Sequence, residues 1–463
     1  MNGDTVKWGA LGGVGALGVG AAVLAARGAR ARRPAETAAD GPRVVILGAG
    51  FGGLTATETL LRALGDTPAR LTLVDQNNYH LFTPLLYQIA ACGVDPWDTA
   101  QPVRAILEGR GVAFRQGTVR GIDLAARRVA LDDGALDYDY LVVALGSATN
   151  YFHEASAQQH ALPLKTIPEA LTIRERVVGA CERAAVLPDG DERRRLLSFV
   201  VIGGGATGTE LVSALADLLY HVLPPQYPGL DFGRVRVALI ESEARPIAGM
   251  AQRLGRAALA RLRDQGVDVL LNTKAKEVAP DHVATDTGQA LPTATAIWTT
   301  GVTANAVAAG LDAPHGKGHT LTVDDCLRLP GHPEAYAVGD NAAYTTPDGG
   351  LAPMLAWAAN QEGEAAARNI ARAIRGEAPE PFRLRPLGSA VSLGRNHGAV
   401  QFGPLAFDGF AGWLAWRAIH LAKINTARSK LGVALDWTYA YTYRADTARL
   451  LPAMSDERRA TSG

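Results

Sequence analysis

The chain has 463 residues, 48% of them hydrophobic, enough to bury the cores of two or three domains. Basic and acidic residues number 46 each, so no net positive charge favours binding to nucleic acid. The three cysteines, Cys92, Cys181 and Cys326, are far apart and lack metal-ligand spacing, which argues against a disulfide framework and against zinc or iron-sulfur sites.

The N-terminal 42 residues differ from the rest of the chain. Residues 8–26, WGALGGVGALGVGAAVLAA, carry no charge, and their length is close to the roughly 20 residues that span a bilayer. Six glycines lower the helix propensity, so a loosely ordered leader is the alternative to a membrane segment. The basic run that follows places the rest of the chain on the cytoplasmic side by the positive-inside rule.

A first nucleotide-binding unit is predicted from residue 43. An aliphatic strand, VVIL, leads into a glycine loop of the form G-x-G-x-x-G. The loop residues are Gly48, Gly50, Phe51, Gly52 and Gly53. Such glycines permit a tight turn, close approach of the backbone to a pyrophosphate, and close packing of helix on strand. Asp75 ends the next strand, where a carboxylate accepts a hydrogen bond from an adenosine ribose.

A second unit repeats this pattern after residue 196. Its loop residues are Gly203, Gly205, Thr207 and Gly208. Glu241 ends its second strand, and a carboxylate there repels a 2'-phosphate, so we expect NADH to be preferred over NADPH. For each loop the alternative is a glycine turn that only packs a helix against a sheet.

Two dinucleotide folds in one chain are typical of enzymes in which one fold holds a flavin and the other delivers a hydride to it. From Arg43 onwards the chain resembles the two-dinucleotide-binding-domain flavoproteins, and within them the type II NADH dehydrogenases, which pass electrons from NADH to a quinone. The resemblance is carried by NNYHLFTPLLYQIA (77–90), YDYLVVALGSATNYF (138–152), PLKTIPEALTIR (163–174), IWTTGV (297–302) and AYAVGDNA (335–342).

The resemblance implies an α/β fold with two Rossmann-like domains, as in glutathione reductase, and a C-terminal membrane-associating helical tail. The expected divisions are an FAD domain in two segments, 43–151 and 294–380, an NADH domain at 152–293 and a tail region at 381–463. FAD is expected on the first loop and Asp75, with Gly146, Gly339 and Asp340 completing its site. NADH is expected on the second loop, with Glu241 and Gly301.

Glu210 is the candidate catalytic carboxylate. It lies on the second turn of the second nucleotide helix, and similar flavoproteins place a glutamate there, near the junction of flavin and nicotinamide. It is expected to position the nicotinamide or relay protons. The alternative is a carboxylate that the helix dipole favours. Lys165 is expected either beside Glu210 or as an exposed hinge lysine.

The helix expected to contact the quinone departs from the sequence pattern of the family. Type II enzymes carry A-Q-x-x-x-Q after the "GD" segment, and here Trp357 replaces the first glutamine while Gln361 keeps the second. Trp357 is expected to stack on a quinone, to plug the tunnel or to pack in the core. The identity of the electron acceptor therefore stays open.

The C-terminal segment 407–444 contains three of the seven tryptophans, together with interleaved cations. This composition favours a pair of helices in the membrane interface, and a dimerisation surface is the alternative. The amphipathic pattern is imperfect, because Arg417 falls beside Phe410 and Leu414 on a helical wheel.

The resemblance therefore implies an NADH:quinone oxidoreductase that uses FAD and does not pump protons, and the basic run after residue 26 favours the cytoplasmic face of the inner (plasma) membrane. One alternative is a peroxidase or disulfide reductase in which Cys92 is the only redox cysteine. Another is a membrane flavoprotein that binds NADH and has a signalling or scaffold role.

Overall fold

The computed structural model describes residues 41–442 and 446–449. The uncharged segment at 8–26, expected to cross a membrane, lies outside the described residues. Over the ranges that are described, no helix is both long enough and apolar enough to cross a bilayer.

A six-stranded sheet forms the core of the first domain. In spatial order its strands are Arg328–Leu329, His332–Ala337, Tyr140–Val143, Arg43–Leu47, Arg70–Asp75 and Ala113–Gln116. All neighbours run parallel except the first pair. Residues 44–47 are at most 2% exposed, as expected for a parallel strand that is covered on both faces.

A five-stranded parallel sheet forms the core of the second domain. In spatial order its strands are Leu162–Pro163, Thr295–Trp298, Ser198–Ile202, Arg236–Ile240 and Val267–Leu270. The sequence-based boundary at residue 294 is therefore wrong, because strand Thr295–Trp298 hydrogen-bonds within the second sheet. The chain returns to the first domain only after Trp298.

The two domains are joined by a pair of short antiparallel strands, Ser147–Thr149 and Val302–Ala304. The longer helices are Phe51–Leu64, Ile167–Val186, Ala206–Asp217, Gln252–Asp264 and Ala356–Ile374. The short ones are Leu86–Ala90, Pro96–Thr99, Val103–Ile106, Ala155–His160, Asp191–Leu196 and Ala306–Ala309. Two smaller sheets have two strands each: Tyr79–Leu81 with Ala100–Pro102, and Leu321–Thr322 with Ala342–Ala343. Two others have three strands each. One consists of Val119–Asp123, Arg128–Leu131 and Gly134–Asp137, and the other of Ala275–Val278, His282–Thr285 and Ala290–Pro292.

The C-terminal region contains a small sheet that the sequence analysis did not predict. Its antiparallel strands are Ser389–Ser392, Gly398–Phe402 and Leu405–Asp408. Two helices follow, Gly409–Lys423 and Ala427–Thr442, at the expected place. The first helix lies directly on the sheet, since a Cβ added at Gly412 would be 2.2 Å from the carbonyl oxygen of Gly398.

Helix Ala356–Ile374 packs tightly against the helix of the first glycine loop. A Cβ added at Gly363 would lie 2.2 Å from the carbonyl oxygen of Gly52. Because that neighbour is backbone, it cannot move aside without shifting the loop. The contact fixes the helix that carries Trp357 and Gln361 against the first nucleotide loop.

Gly363→Ala is expected to lower the free energy of unfolding by about 1–3 kcal/mol through overpacking, although alanine is the better helix former. Gly121→Ala is the matched control, since nothing lies within 4 Å of an added Cβ there, and it should change stability by less than about 0.5 kcal/mol. Urea unfolding of the two variants measures the difference. Equal midpoint shifts would contradict the packing argument.

Candidate active site

The two glycine loops have the same backbone geometry. Gly48 and Gly203 adopt φ angles of +102° and +105°, a region that residues with a side chain rarely enter. Each amide donates to the end of the following strand, Gly48 to the carbonyl of Val74 at 2.7 Å and Gly203 to that of Ile240 at 2.8 Å.

The last glycine of each loop is required by a close contact. A Cβ added at Gly53 would lie 1.9 Å from the carbonyl oxygen of Gly48, and one at Gly208 would lie 1.8 Å from that of Gly203. Only glycine permits this approach of helix to strand. Thr207 lies in the first turn of the second helix, between the glycines of the loop.

The middle glycines leave open the space where a phosphate would bind. Gly50 and Gly205 precede their helices in extended conformation, and neither helix has a side-chain cap. An added Cβ at either position meets nothing within 4 Å. The helix N-termini therefore present uncapped backbone amides, which fit the pyrophosphate of a dinucleotide.

A carboxylate stabilises each loop from the next strand. Asp75 accepts from the backbone amide of Ala49 at 2.7 Å, and Glu241 accepts from that of Gly204 at 2.5 Å. Burial raises the pKa of Asp75. From the sequence both carboxylates were expected to act only on the cofactor, and these bonds give them a second role in holding the loop.

The crossover between the domains is fixed by the segment that contains Gly339 and Asp340. The side chain of Asn341 accepts from the amide of Gly146 at 3.1 Å and donates to its carbonyl at 2.8 Å. Gly301 lies on the returning crossover, where its carbonyl accepts from the amide of Asn150 at 3.1 Å.

Lys165 lies beside Asp340. Its Nζ donates to Ser147 Oγ at 2.8 Å, and that hydroxyl donates to the Asp340 carboxylate. The ammonium is also 3.8 Å from the same carboxylate. Lys165 therefore joins the second domain to the turn at Asp340, which neither of the two sequence-based interpretations anticipated.

Glu362 is a buried carboxylate that the sequence analysis missed. It is 1% exposed and accepts from the amide of Gly339 at 2.6 Å. Burial raises its pKa to about 8, and the neighbouring Asp340 contributes in the same direction. The one available signal was a glutamate among alanines and glycines on a helix, which does not reveal the side that is buried.

Glu210 is buried against the C-terminal region. Its Oε1 accepts from the amide of Ser392 at 2.9 Å and from the indole Nε1 of Trp416 at 3.0 Å. Burial raises the pKa of this carboxyl group to about 8. Oε2 has no hydrogen-bond partner in the described part of the chain. Burial therefore favours the neutral acid form of Glu210, whereas the alternative expected from the sequence was a carboxylate stabilised by the helix dipole.

Trp357 and Gln361 differ in whether their polar side-chain atoms are hydrogen-bonded. Gln361 donates to the carbonyl of Arg385 at 2.8 Å and accepts from its amide at 3.0 Å, so both ends of its side chain hold a neighbouring segment. The indole nitrogen of Trp357 is buried and has no partner among residues 41–442 and 446–449. Of these two side chains, Trp357 is the one with an unengaged donor.

The cysteines have the properties of buried thiols. Burial raises the pKa of Cys92 to about 11, that of Cys181 to about 12 and that of Cys326 to about 11. Reactive cysteines have a lowered pKa, because the thiolate is the nucleophile. Cys92 is therefore a protonated thiol at neutral pH, which argues against the alternative based on this residue.

Two phosphate-binding loops, each held by a carboxylate and joined at one crossover, define an α/β oxidoreductase with two dinucleotide-binding domains. Comparison with known proteins supports the same class. Residues 42–363 match the family of pyridine nucleotide-disulphide oxidoreductases. The chain belongs to this family and, within it, to the type II NADH:quinone oxidoreductases.

Similarity to individual proteins extends over most of the chain. The type II NADH:quinone oxidoreductase Ndh of Mycobacterium tuberculosis is 32% identical, over 86% of this chain and 88% of that protein. The demethylphylloquinone reductase NdbB of a Synechocystis species is 30% identical, over 86% and 95%. The structure of NDH2 from Plasmodium falciparum in complex with NADH has the same fold, with a TM-score of 0.79 at 18% identity, covering 88% of this chain and all of that one.

Glu210 predicts a pH dependence of stability. Its pKa is about 8 in the fold against an ordinary value of 4.5, so between these pH values the folded protein binds a proton that the unfolded chain has released. Stability therefore falls as pH rises through this window, by roughly 1.4 kcal/mol per unit for one such group. Glu210→Gln, which resembles the neutral acid, should gain stability relative to the wild type between pH 5 and pH 8.

Urea unfolding of both proteins across that pH range measures the difference. Glu277→Gln, on an exposed strand position, is the control. Its free energy of unfolding should differ from that of the wild type by the same amount at every pH. A constant difference for Glu210→Gln as well would show that the carboxyl group is ionised in the fold.

Proposed function

We propose that the protein oxidises NADH through bound FAD and passes the electrons to a quinone without pumping protons. The observation that supports this most strongly is the repeated loop geometry, in which each domain has its own phosphate site and its own carboxylate. Two such sites in one chain allow one cofactor to stay bound while the other exchanges.

FAD is assigned to the first domain and NADH to the second. The residues assigned to FAD are Gly48, Gly50, Phe51, Gly52, Gly53, Asp75, Gly146, Gly339 and Asp340. Those assigned to NADH are Gly203, Gly205, Thr207, Gly208, Glu241 and Gly301. When bound, the flavin accepts a hydride from the nicotinamide and returns two electrons to an acceptor. The chain contributes mainly position, because the two rings must be held in contact for hydride transfer.

Lys165 and Glu362 support the turn at Gly339 and Asp340. Glu362 accepts from the Gly339 amide, which fixes the turn from the helix side. Lys165 supplies positive charge beside Asp340, which lowers the cost of a carboxylate in a partly buried site. Together they hold the turn in the position where the Asp340 side chain accepts from the Ser147 hydroxyl.

Glu210 is assigned as a proton donor. Reduction of a quinone to a quinol consumes two electrons and two protons. A neutral carboxylic acid whose Oε2 is unengaged can give one of these protons and recover it from solvent, and a pKa near the working pH suits that exchange. The indole N–H of Trp357 is assigned to the quinone, either as a hydrogen-bond donor or through the face of its ring.

The C-terminal region is assigned to the membrane surface. Several large apolar side chains on its hairpin and helices are between 46% and 60% exposed; they are Leu405, Phe410, Leu414, Leu431, Leu435 and Tyr439. Exposed cations, among them Lys423 and Arg428, flank them. Apolar side chains together with cations are typical of helices that lie in a membrane interface. We place this surface on the cytoplasmic face of the plasma membrane, and a homodimer through the same surface is the competing arrangement.

An anaerobic experiment tests the reaction. The purified protein is reduced with one equivalent of NADH and mixed with short-chain ubiquinone, menadione, hydrogen peroxide or coenzyme A disulfide, and flavin absorbance is followed by stopped flow. We expect reoxidation within milliseconds by a quinone, and the same rate in Cys92→Ser, because the thiol is buried and protonated. Fast reoxidation by peroxide or disulfide alone, lost in Cys92→Ser, would overturn the proposal.

The carboxylate of Glu241 should set the preference for NADH. Glu241→Gln keeps an oxygen for the Gly204 amide but removes the charge that repels a 2'-phosphate. We expect the ratio of kcat/KM for NADPH to that for NADH to rise roughly tenfold, equivalent to about 1.4 kcal/mol. Glu243→Gln, two residues away and exposed, is the control for charge alone. An equal rise in that variant would mean that Glu241 does not contact the ribose.

A further inference from the structure

The two C-terminal helices carry an alternating stack of aromatic rings and arginines. The guanidinium of Arg417 lies 4.0 Å from the ring centroid of Trp413 on its own helix and 4.9 Å from that of Trp437 on the next helix. Arg417 is therefore held between two indole rings. Such cation–π contacts fix the plane of the guanidinium without using its N–H groups.

The stack continues to a second arginine. The rings of Trp413 and Tyr441 are 6.1 Å apart, and the guanidinium of Arg395 lies 4.4 Å from the centre of the Tyr441 ring. We call Arg395, Trp413, Arg417, Trp437 and Tyr441 the arginine–aromatic ladder. Its two arginines are separated by one indole and one phenol ring.

No anion of the described chain neutralises either arginine. Neither forms a salt bridge within residues 41–442 and 446–449, whereas many other arginines there are paired with a carboxylate. Burial lowers the pKa of Arg417 to about 10, and the only groups that act in the opposite direction are the phenols of Tyr87 and Tyr441. Arg395 donates to the carbonyl of Tyr441 at 2.7 Å. Arg417 thus keeps a half-buried positive charge without a counter-ion.

Arg417 lies at the boundary between the buried Trp437, which is 5% exposed, and an exposed apolar face. Phe410 and Leu414 precede it by seven and three residues on the same helix, so the three side chains share one stripe. These two side chains are 59% and 56% exposed. A solvated helix face would not combine such residues with a stacked arginine. A bilayer interface does, because acyl chains and phosphates meet at that depth.

We propose that Arg417, held between Trp413 and Trp437, binds the phosphate of an anionic phospholipid headgroup, with Arg395 as the second cation of the site. The planar fork of N–H donors on a guanidinium matches two phosphate oxygens, and its faces are already occupied by the indoles. This inference rests on the proposed seating of the C-terminal helices on a membrane. It also accounts for the cation that interrupts their apolar stripe.

The test separates a built phosphate site from general attraction between cations and an anionic membrane. Sedimentation of the full-length holoprotein is measured with vesicles of phosphatidylcholine alone and with vesicles containing about 30% phosphatidylglycerol. The key variant is Arg417→Lys, which keeps the charge but loses the planar fork. Lys423→Arg and Lys423→Gln are the matched controls on the same helix, because Lys423 is exposed.

We expect the wild type to bind the anionic vesicles at least tenfold more tightly than the neutral ones. Arg417→Lys and Arg417→Gln should both lose most of that preference, and Arg395→Gln should lose part of it. Lys423→Arg should bind like the wild type, and Lys423→Gln should lose only the roughly fivefold that one surface cation contributes. Flavin reduction by NADH, measured without vesicles, should be unchanged in every variant and reports that each is folded.

Wild-type affinity in Arg417→Lys, with equal losses in Arg417→Gln and Lys423→Gln, would show that only charge matters and would overturn the inference. Thermal stabilisation of the wild type by inorganic phosphate without vesicles, absent in Arg417→Gln, would assign the site to a soluble phosphate instead. Wild-type protein that binds neither vesicle would overturn the membrane seating as well. Oxidation of NADH by a water-soluble quinone would still test the reaction separately.

Discussion

Each nucleotide loop depends on a hydrogen bond between a backbone amide and the carboxylate that ends the next strand. The Ala49–Asp75 and Gly204–Glu241 bonds hold the loops at the carboxyl ends of the parallel strands, where α/β folds bind ligands. The loop glycines touch backbone on one side and open space on the other, so in each loop this bond fixes a segment that is poor in side chains. In the first loop the ring of Phe51, packed against His80, adds to it. The helix N-termini, and the phosphate sites they form, depend on that anchoring.

Two further carboxylates, Glu362 and Glu210, are buried. Glu362 holds the turn that joins the crossover, and Glu210 lies where the second domain meets the C-terminal sheet and helix. Both have a pKa near 8 because burial disfavours their charge. A neutral acid can donate as well as accept a hydrogen bond.

The C-terminal region contacts a residue of the candidate site and also carries exposed apolar side chains. Trp416 donates to Glu210, while its neighbour Arg417 belongs to the arginine–aromatic ladder on the helix pair. Adjacent residues of one helix thus contact the candidate proton donor and the surface that we assign to the membrane. Under the proposed function, a site built from this helix would lie close to the bilayer in which quinones dissolve.

The sequence by itself determined the two glycine loops and their carboxylates, because these features depend on short stretches whose spacing follows from strand and helix geometry. The family came from the resemblance of longer segments such as residues 77–90. Only the tertiary structure decided that the Gln361 side chain hydrogen-bonds to the backbone of Arg385, that Lys165 contacts Asp340 and that the Glu362 side chain is buried. The bonds to Glu210 come from residues 182 and 206 positions away. Local periodicity carries no information about such contacts, since they arise when separate elements pack together.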